Sequence, residues 1–246
     1  MNKTTNLSNL MVIDIETVAS HATFEELPEN LKPLWEKKAA RISPDDTAKE
    51  AFEKKAGIYA EFGKIVVIGI GFFTVQKNET GQDNKQEQQF FRVKSLASDN
   101  EKELLENFIK VVEKFGKNLQ FIAHNGKEFD FPYLCRRMLI NGLDIPHVLD
   151  ISNKKPWEIN HIDTMHMWKF GDYKNYTSLS LLAAVFGLET SKDDIDGSEV
   201  NGVYYKEKDL NRIAVYCTKD VILTGQLFLR MQNLPIIKEE NIIIVE

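Results

Sequence analysis

Residues 11–18 have the sequence MVIDIETV, in which two acidic side chains interrupt an otherwise apolar run. Apolar and β-branched residues dominate this run, so it predicts a β-strand. Side chains two positions apart in a strand lie on the same face, about 6.6 Å apart at the backbone, so Asp14 and Glu16 point the same way. Val12 and Val18 share that face. It is either a wet face, or a buried one on which acids must be paired or hold a cation.

The composition of the whole chain limits the function classes that this strand can serve. The chain has 246 residues, with 31 Lys+Arg against 37 Asp+Glu and a formal net charge of -6. This charge excludes a strongly basic nucleic-acid coat, but not an enzyme that holds nucleic acid in a local groove. Cys135 and Cys217 cannot build a disulfide framework, and the lack of Cys/His clusters argues against structural zinc. With no signal-peptide-like or membrane-spanning run, the sequence predicts a cytoplasmic protein with no membrane partner.

The remaining segments predict a mixed sheet covered by helices. Residues 19–62 are rich in Lys, Glu and Ala and contain three prolines, which indicates a helical insertion that packs on the domain. Further strands are predicted at 64–75, 90–94 and 119–123, with a polar hairpin tip at 76–89, and helices at 99–115, 130–141, 178–186 and 207–231. No repeat or linker divides the chain. We therefore expect a single domain over residues 1–246, with an α/β core.

Asp130 is a second acidic candidate, at the start of a predicted helix. An Asp before Phe131 and Pro132 has the pattern of a helix N-cap, which is its structural interpretation. The preceding loop contains Asn125 and Gly126 directly after a buried strand, where backbone and amide groups can approach a ligand closely. Capping and ligand binding are both consistent with this pattern.

Tyr216 and Asp220 form a third candidate pair on the long C-terminal helix. Their spacing of four residues places them on one face, about 5–6 Å apart. An interfacial Tyr and a solvated Asp is the ordinary alternative. Apolar residues occur nearly all round this helix, however, so we expect Asp220 to face the interior, where an acid needs a partner.

Together the three patterns resemble the exonuclease motifs of the DEDD superfamily. D-x-E at 14–16, N-x-x-x-F-D at 125–130 and Y-x-x-x-D at 216–220 are similar to its DEDDy branch. The stretch NGKEFDFPYL at 125–134 resembles the second motif of the exonuclease domain in B-family DNA polymerases. Similarity to stand-alone predicted 3′→5′ exonucleases related to that domain covers most of the chain.

The resemblance implies an RNase H-like fold and a hydrolase with 3′→5′ exonuclease activity. Its partner would be the 3′ end of single-stranded nucleic acid, with DNA favoured over RNA. Two alternatives stay open: an RNA-trimming exoribonuclease, and a non-catalytic nucleic-acid binding module on the same fold. The sequence leaves protein partners open.

The resemblance also implies a catalytic centre with two divalent cations, Mg²⁺ or Mn²⁺. Asp14 would bridge both metals, Glu16 and Asp220 would hold the metal that activates water, and Asp130 would serve the second. Carboxylates and water suit these hard cations. Tyr216 would orient the attacking water, because a Tyr with a pKa near 10 is a poor base at neutral pH.

Substrate contacts are predicted from the same comparison. The backbone of Thr17 would meet the 3′ hydroxyl, Asn125 would reach the terminal nucleotide, and Phe129 would pack beside a base or sugar. Core packing beneath the loop is the equal alternative for Phe129. Basic residues that could contact phosphates, or could simply be solvated, are Lys127, Arg136, Arg137, Lys154, Lys155, Lys169 and Lys174.

Overall fold

The computed structural model describes residues 7–78, 86–172, 176–189 and 194–245, and a six-stranded sheet runs through them. The strand order is β5-β4-β1-β2-β3-β6. Neighbours β1–β2 and β2–β3 are antiparallel, whereas β1–β4, β4–β5 and β3–β6 are parallel, as expected for a mixed sheet. The strands are β1 (Leu10–Ala19), β2 (Gly63–Asn78), β3 (Gln86–Ala97), β4 (Gln120–Ala123), β5 (Ile162–Asp163) and β6 (Ile242–Ile244).

Helices cover both faces of the sheet. They are α1 (Lys32–Ile42), α2 (Ala48–Lys55), α3 (Glu101–Phe115), α4 (Asp130–Ile140), α5 (Thr164–Lys169), α6 (Leu179–Phe186), α7 (Val200–Gly202) and α8 (Leu210–Met231). A π-helical turn, Val203–Glu207, leads from α7 towards α8. Short 3-10 turns lie at Leu7–Asn9, Phe24–Glu26, Ala56–Ile58, Pro156–Glu158 and Glu239–Asn241. Helices on a mixed sheet confirm the predicted α/β class.

The alternation of β1 places its acids on the α8 side of the sheet. Met11, Ile13 and Ile15 are buried in a hydrophobic cluster with α3 and α4. The positions between them face α8, and the thiol of Cys217 in α8 lies 3.5 Å from Oδ2 of Asp14. Pairing of β1 with the short β4 spans residues 10–12, so the acidic residues come after the last of these pairs.

Two glycines of β2 let α8 approach the sheet closely. Gly69 is the partner of Asp14 in the β1–β2 register. A Cβ at Gly69 would lie 2.6 Å from Cγ2 of Val221 and 2.8 Å from Sγ of Cys217, which real packing does not allow. At Gly71 a Cβ would lie 2.8 Å from Cγ1 of Val221. Because Gly69 and Gly71 have no side chain, α8 can pack close to the acids of β1.

The predicted helical insertion is present and has its own apolar cluster. Its α1 and α2 bury Trp35 and Phe52 with Phe62 of the turn that returns to β2. The ring of Trp35 packs edge-on against the rings of Phe52 and Phe62, at centroid distances of 5.3 and 5.0 Å. The helical insertion thus packs its apolar residues against one another and against Ala19 at the end of β1.

Several predicted boundaries need correction. The helix predicted from residue 99 begins at Glu101, and its N-cap is Asn100, whose side chain accepts from Glu103 N at 3.3 Å. The hairpin tip is shorter than predicted because β2 and β3 extend into it, and residues 79–85 lie outside the described residues. Beyond the last predicted helix, the chain contributes β6, which adds to β3 in parallel.

Candidate metal centre

Asp14 and Glu16 meet α8 in a compact acidic group. One ligand atom from each of Asp14, Glu16 and Cys217 lies within 4.8 Å of the others. Asp14 is partly buried and Glu16 is 7% exposed, so neither of these carboxylates is freely hydrated. The same-face arrangement of the two acids inferred from the sequence is therefore confirmed, and the wet-face interpretation of this strand is wrong.

Burial and mutual repulsion both raise the pKa values of the acids. Burial raises the pKa of Asp14 well above its usual value, and the charges of Glu16, Asp130 and Asp220 raise it further. The pKa of Glu16 is also raised, first by burial and then by Asp220 and Asp130. The structure thus brings all four predicted acids within electrostatic reach of one another. A hard divalent cation would reduce the repulsion between the carboxylates of such a group.

Asp130 is fixed by a hydrogen bond from β1 and not by helix capping. It is the first residue of α4, and the N-cap position belongs to Phe129, whose side chain makes no cap hydrogen bond. The backbone amide of Ile15 donates to Oδ1 of Asp130 at 3.2 Å. Burial raises the pKa of Asp130 to about 7, with a further contribution from Asp163. The N-cap interpretation of Asp130 is therefore wrong, because its carboxylate turns back to the sheet.

Asp163 organises the loop that carries the second motif. Its carboxylate accepts from the backbone amides of Asn125 and Lys127, each at 3.0 Å. It also accepts from Met165 N at 3.0 Å and His166 N at 3.2 Å, which caps α5. One buried carboxylate therefore joins the end of β5, the start of α5 and the loop that leads to Asp130.

Asn125 offers a buried acceptor in the loop that leads to Asp130. Its backbone is left-handed, with φ of 65°, a conformation that Asn tolerates better than most residues. Within the part of the chain that the structure describes, Oδ1 of Asn125 is buried and meets no hydrogen-bond donor. Leaving such an acceptor unsatisfied costs about 1–3 kcal/mol. A ligand that brings a donor to this loop would remove that cost.

Tyr216 and Asp220 face the acidic group from α8, as the i, i+4 spacing predicts. The Tyr216 hydroxyl hydrogen-bonds Asp220. Burial raises the pKa of Tyr216 well above its usual value, and the charges of Asp220, Glu16 and Asp14 add to this shift. A phenol in this environment stays protonated and acts as a hydrogen-bond donor.

Cys217 belongs to this site, although the sequence predicted no role for it there. Its thiol lies 3.6 Å from the carbonyl oxygen of Asp14 as well as near the Asp14 carboxylate. Burial raises the pKa of this thiol well above its usual value, and Asp14 raises it further, which keeps it as a neutral donor. The spacing of three residues to Asp220 was the available signal, since i, i+3 positions share a helix face.

The other predicted substrate residues lie close to this region but have structural partners. Thr17 follows a register shift of β1 between Glu16 and Thr17, and its side chain hydrogen-bonds the hydroxyl of Tyr133. Phe129 packs against the main hydrophobic cluster, with its ring 5.3 Å from that of Tyr133. Packing beneath the loop is therefore a demonstrated role of Phe129.

Three members of the predicted basic set are engaged with protein groups. Arg137 is buried, and its Nε donates to Oε1 of Glu101 at 2.8 Å, so its prediction as a phosphate contact is wrong. Lys127 Nζ donates to Ile159 O at 3.0 Å, and Lys169 Nζ lies 3.7 Å from Glu128. Lys174 lies outside the described residues.

In the described segments no helix is long and apolar enough to cross a bilayer.

Comparison with protein families gives a match over most of the chain. The family described as "Predicted 3'-5' exonuclease related to the exonuclease domain of PolB" matches residues 63–239. This range includes Asp130, Tyr216 and Asp220, while Asp14 and Glu16 lie before it.

Curated relatives are DNA polymerases of archaea. The DNA polymerase of Pyrococcus glycovorans is 27% identical over 139 residues, which is 52% of this chain and 18% of that protein. DNA polymerase 1 of Pyrococcus abyssi gives the same identity and coverage. The chain thus spans about a fifth of the length of these relatives.

Two solved structures are similar at low sequence identity. The family B DNA polymerase from Pyrobaculum calidifontis has a TM-score of 0.48 and 12% identity, covering 90% of this chain and 24% of that one. The RNase domain of the yeast Pop2 protein has a TM-score of 0.36 and 11% identity, covering 89% of this chain and 78% of that one.

Proposed function

Because the chain belongs to the family of predicted 3′-5′ exonucleases related to the exonuclease domain of PolB, we propose that it is a metal-dependent 3′→5′ exonuclease with an RNase H-like fold. Its substrate is the 3′ end of single-stranded nucleic acid, with DNA favoured over RNA. The observation that carries the proposal is the convergence of four acids from β1, α4 and α8 with Tyr216 beside them.

The donor set fits divalent cations of the Mg²⁺ or Mn²⁺ type. Oxygen ligands would come from Asp14, Glu16, Asp130 and Asp220. The raised pKa values of Asp14, Glu16 and Asp130 mean that the protein environment opposes ionisation of these three carboxyl groups. Two bound cations would supply a water of lowered pKa and neutralise charge on the phosphate and leaving oxygen. The neutral thiol of Cys217 is a softer group, and we assign it to holding Asp14 in place rather than to ligation.

Tyr216 supplies orientation in this proposal, not proton abstraction. Its hydroxyl is anchored to Asp220, and its raised pKa keeps the proton on the phenol oxygen. A protonated phenol accepts as well as donates, so it can fix the direction of one water next to the acids. The proton of the attacking water must then leave by another group or by solvent.

The loop of residues 124–129 supplies the substrate side. Asp163 fixes its backbone through Asn125 N and Lys127 N, so the loop is preorganised before substrate arrives. The unsatisfied Oδ1 of Asn125 would accept a donor from the terminal nucleotide. Thr17 directly follows Glu16 after the register shift of β1, and its backbone would meet the 3′ hydroxyl.

A 5′-labelled single strand tests the proposal directly. We expect a ladder of products shortened from the 3′ end with Mg²⁺ or Mn²⁺, and none with chelator. Matched DNA and RNA strands determine the preferred sugar, which a protein distinguishes through the 2′ position. Asp14→Asn should abolish the ladder and reduce the rise in melting temperature that Mg²⁺ gives to the folded protein.

A matched control is the exposed Asp144, which lies beyond the end of α4. Asp144→Asn changes the net charge by the same amount and should leave both the ladder and the Mg²⁺ response unchanged. Binding of single strands without any shortening, and equally by wild type and Asp14→Asn, would instead identify a binding module.

A further inference from the structure

Tyr176 is a largely exposed aromatic residue tied to the loop of the second motif. Its side chain is 68% exposed, and it lies two residues before Ser178, the N-cap of α6. The next residue is anchored, because Nε2 of His124 donates to Thr177 O at 2.9 Å. His124 directly follows β4 and begins the loop that carries Asn125.

The His124 ring fixes this attachment in a single tautomer. A carbonyl oxygen only accepts, so Nε2 of His124 carries the proton. Burial lowers the pKa of His124, so the ring is neutral and Nδ1 accepts from the Thr164 hydroxyl at 2.8 Å. The ring thereby connects three segments: the end of β4, the start of α5 and the approach to α6.

Most of the Tyr176 side chain faces solvent, beside the loop of the second motif to which Thr177 is anchored. Burial raises the pKa of its hydroxyl, and the charges of Asp130 and Asp163 add to this shift, in keeping with a position near the loop that leads to Asp130. A residue before a helix can also serve as an apolar staple, but staples bury their side chain against the first turn. Because Tyr176 is largely exposed, it can contribute little to the helix as a staple.

We infer that Tyr176 stacks on the base of a nucleotide at the 3′ end of the bound strand, which it meets at the edge of the acidic site. The inference rests on the proposed exonuclease function and adds a positioning residue to it. An aromatic ring accepts any base, because every base has a π face, and unpaired bases present that face freely. Asn125 would then bind the nucleotide by hydrogen bonding, and Tyr176 by stacking.

Strands that carry 2-aminopurine as their 3′-terminal base test the stacking. The active protein is mixed rapidly with such DNA and RNA strands in Mg²⁺. With wild type we expect a fast fall in fluorescence as the base stacks, followed by a rise as the nucleotide is released. Tyr176→Leu should lose the fall and raise KM about tenfold with kcat within about twofold. Tyr176→Phe should keep both wild-type properties.

The outcomes separate the two proposals. If wild type shortens strands but shows no fall, or if Tyr176→Leu matches wild type in both fall and KM, the stacking inference is overturned. If wild type shortens neither strand, the exonuclease proposal itself fails, and with it this inference. Equal melting temperatures of wild type and Tyr176→Leu, expected for so exposed a residue, show that the folded protein was compared.

Discussion

The amide of Ile15 donates to Oδ1 of Asp130 at 3.2 Å, so an acidic residue of the second motif completes a hydrogen bond of the central strand. The bond crosses 115 positions of sequence and fixes Asp130 relative to Asp14 and Glu16, the neighbours of Ile15. The same carboxylate thus has a structural contact and a proposed metal contact, and two substitutions can separate them.

Asp130→Asn should keep the bond from Ile15, because the amide oxygen still accepts, while losing the charge. Asp130→Ala removes the acceptor and leaves a buried amide unsatisfied. We expect both variants to be inactive, and the alanine variant to unfold with about 1–3 kcal/mol less free energy than the asparagine variant. Urea unfolding of the two proteins measures the difference. Equal stabilities would show that the bond contributes nothing.

Metal affinity should depend on pH through these carboxylates. The pKa of Asp130 is raised by burial to about 7, so its stabilising contribution, present below its unfolded pKa of 3.8, is lost as pH rises through about 7. Mg²⁺ binds the ionised form, so binding should release protons and tighten as pH rises through about 7. The pKa values of Asp14 and Glu16 are raised as well, so their ionisation should add to the proton release.

Calorimetric titration of Mg²⁺ in two buffers of different ionisation enthalpy counts the released protons. Asp130→Asn serves as the comparison, since it should remove the part of the release that follows a pKa near 7. A Mg²⁺ affinity that is constant between pH 6 and 8 would contradict the carboxylate assignment.

Tyr216→Phe should slow hydrolysis by about two orders of magnitude and leave Mg²⁺ binding largely intact, because only the phenol oxygen is removed. If the phenol orients water, the pH–rate profile of wild type should show no ionisation of Tyr216 below pH 10, given its raised pKa. Single-turnover rates across this range test both points. Wild-type rates in the Phe variant would remove Tyr216 from the mechanism.

Gly69→Ala should push α8 away from the acids. The added Cβ would lie 2.6 Å from Val221 Cγ2, and we expect about 1–3 kcal/mol of lost stability together with weaker Mg²⁺ binding. Gly202→Ala is the matched control, because a Cβ there meets nothing within 4 Å. Thermal unfolding with and without Mg²⁺ compares the two. A stable, fully active Gly69→Ala protein would show that α8 can be displaced without loss.

The short-range patterns of the sequence predicted the acids well. Strand alternation placed Asp14 and Glu16 on one face, and the helical spacing placed Tyr216 beside Asp220, because both depend only on local geometry. Cys217 could have been added by the same rule. Only the capping alternative for Asp130 was wrong, because a capping pattern is local whereas its partner, Ile15, lies in another element.

Features that depend on distant pairing could not be predicted. The position of β6 beside β3 joins segments about 150 residues apart. Arg137 resembles a solvated cation in the sequence, yet it donates to Glu101 and to Ala60 O at 2.7 Å, which only the packing of α3 and α4 determines. The hydrogen bond from His124 to Thr177 O, which holds the residue next to Tyr176, has no periodic signal in the sequence.

The distances in sequence between the site residues also bear on folding kinetics. Asp14 and Cys217 meet in space although 203 positions separate them, so the repelling charges come together only when the first strand and the last long helix have met. Contacts of such high sequence separation form late. We therefore expect neutral substitutions at the acids to slow unfolding while leaving the folding rate nearly unchanged.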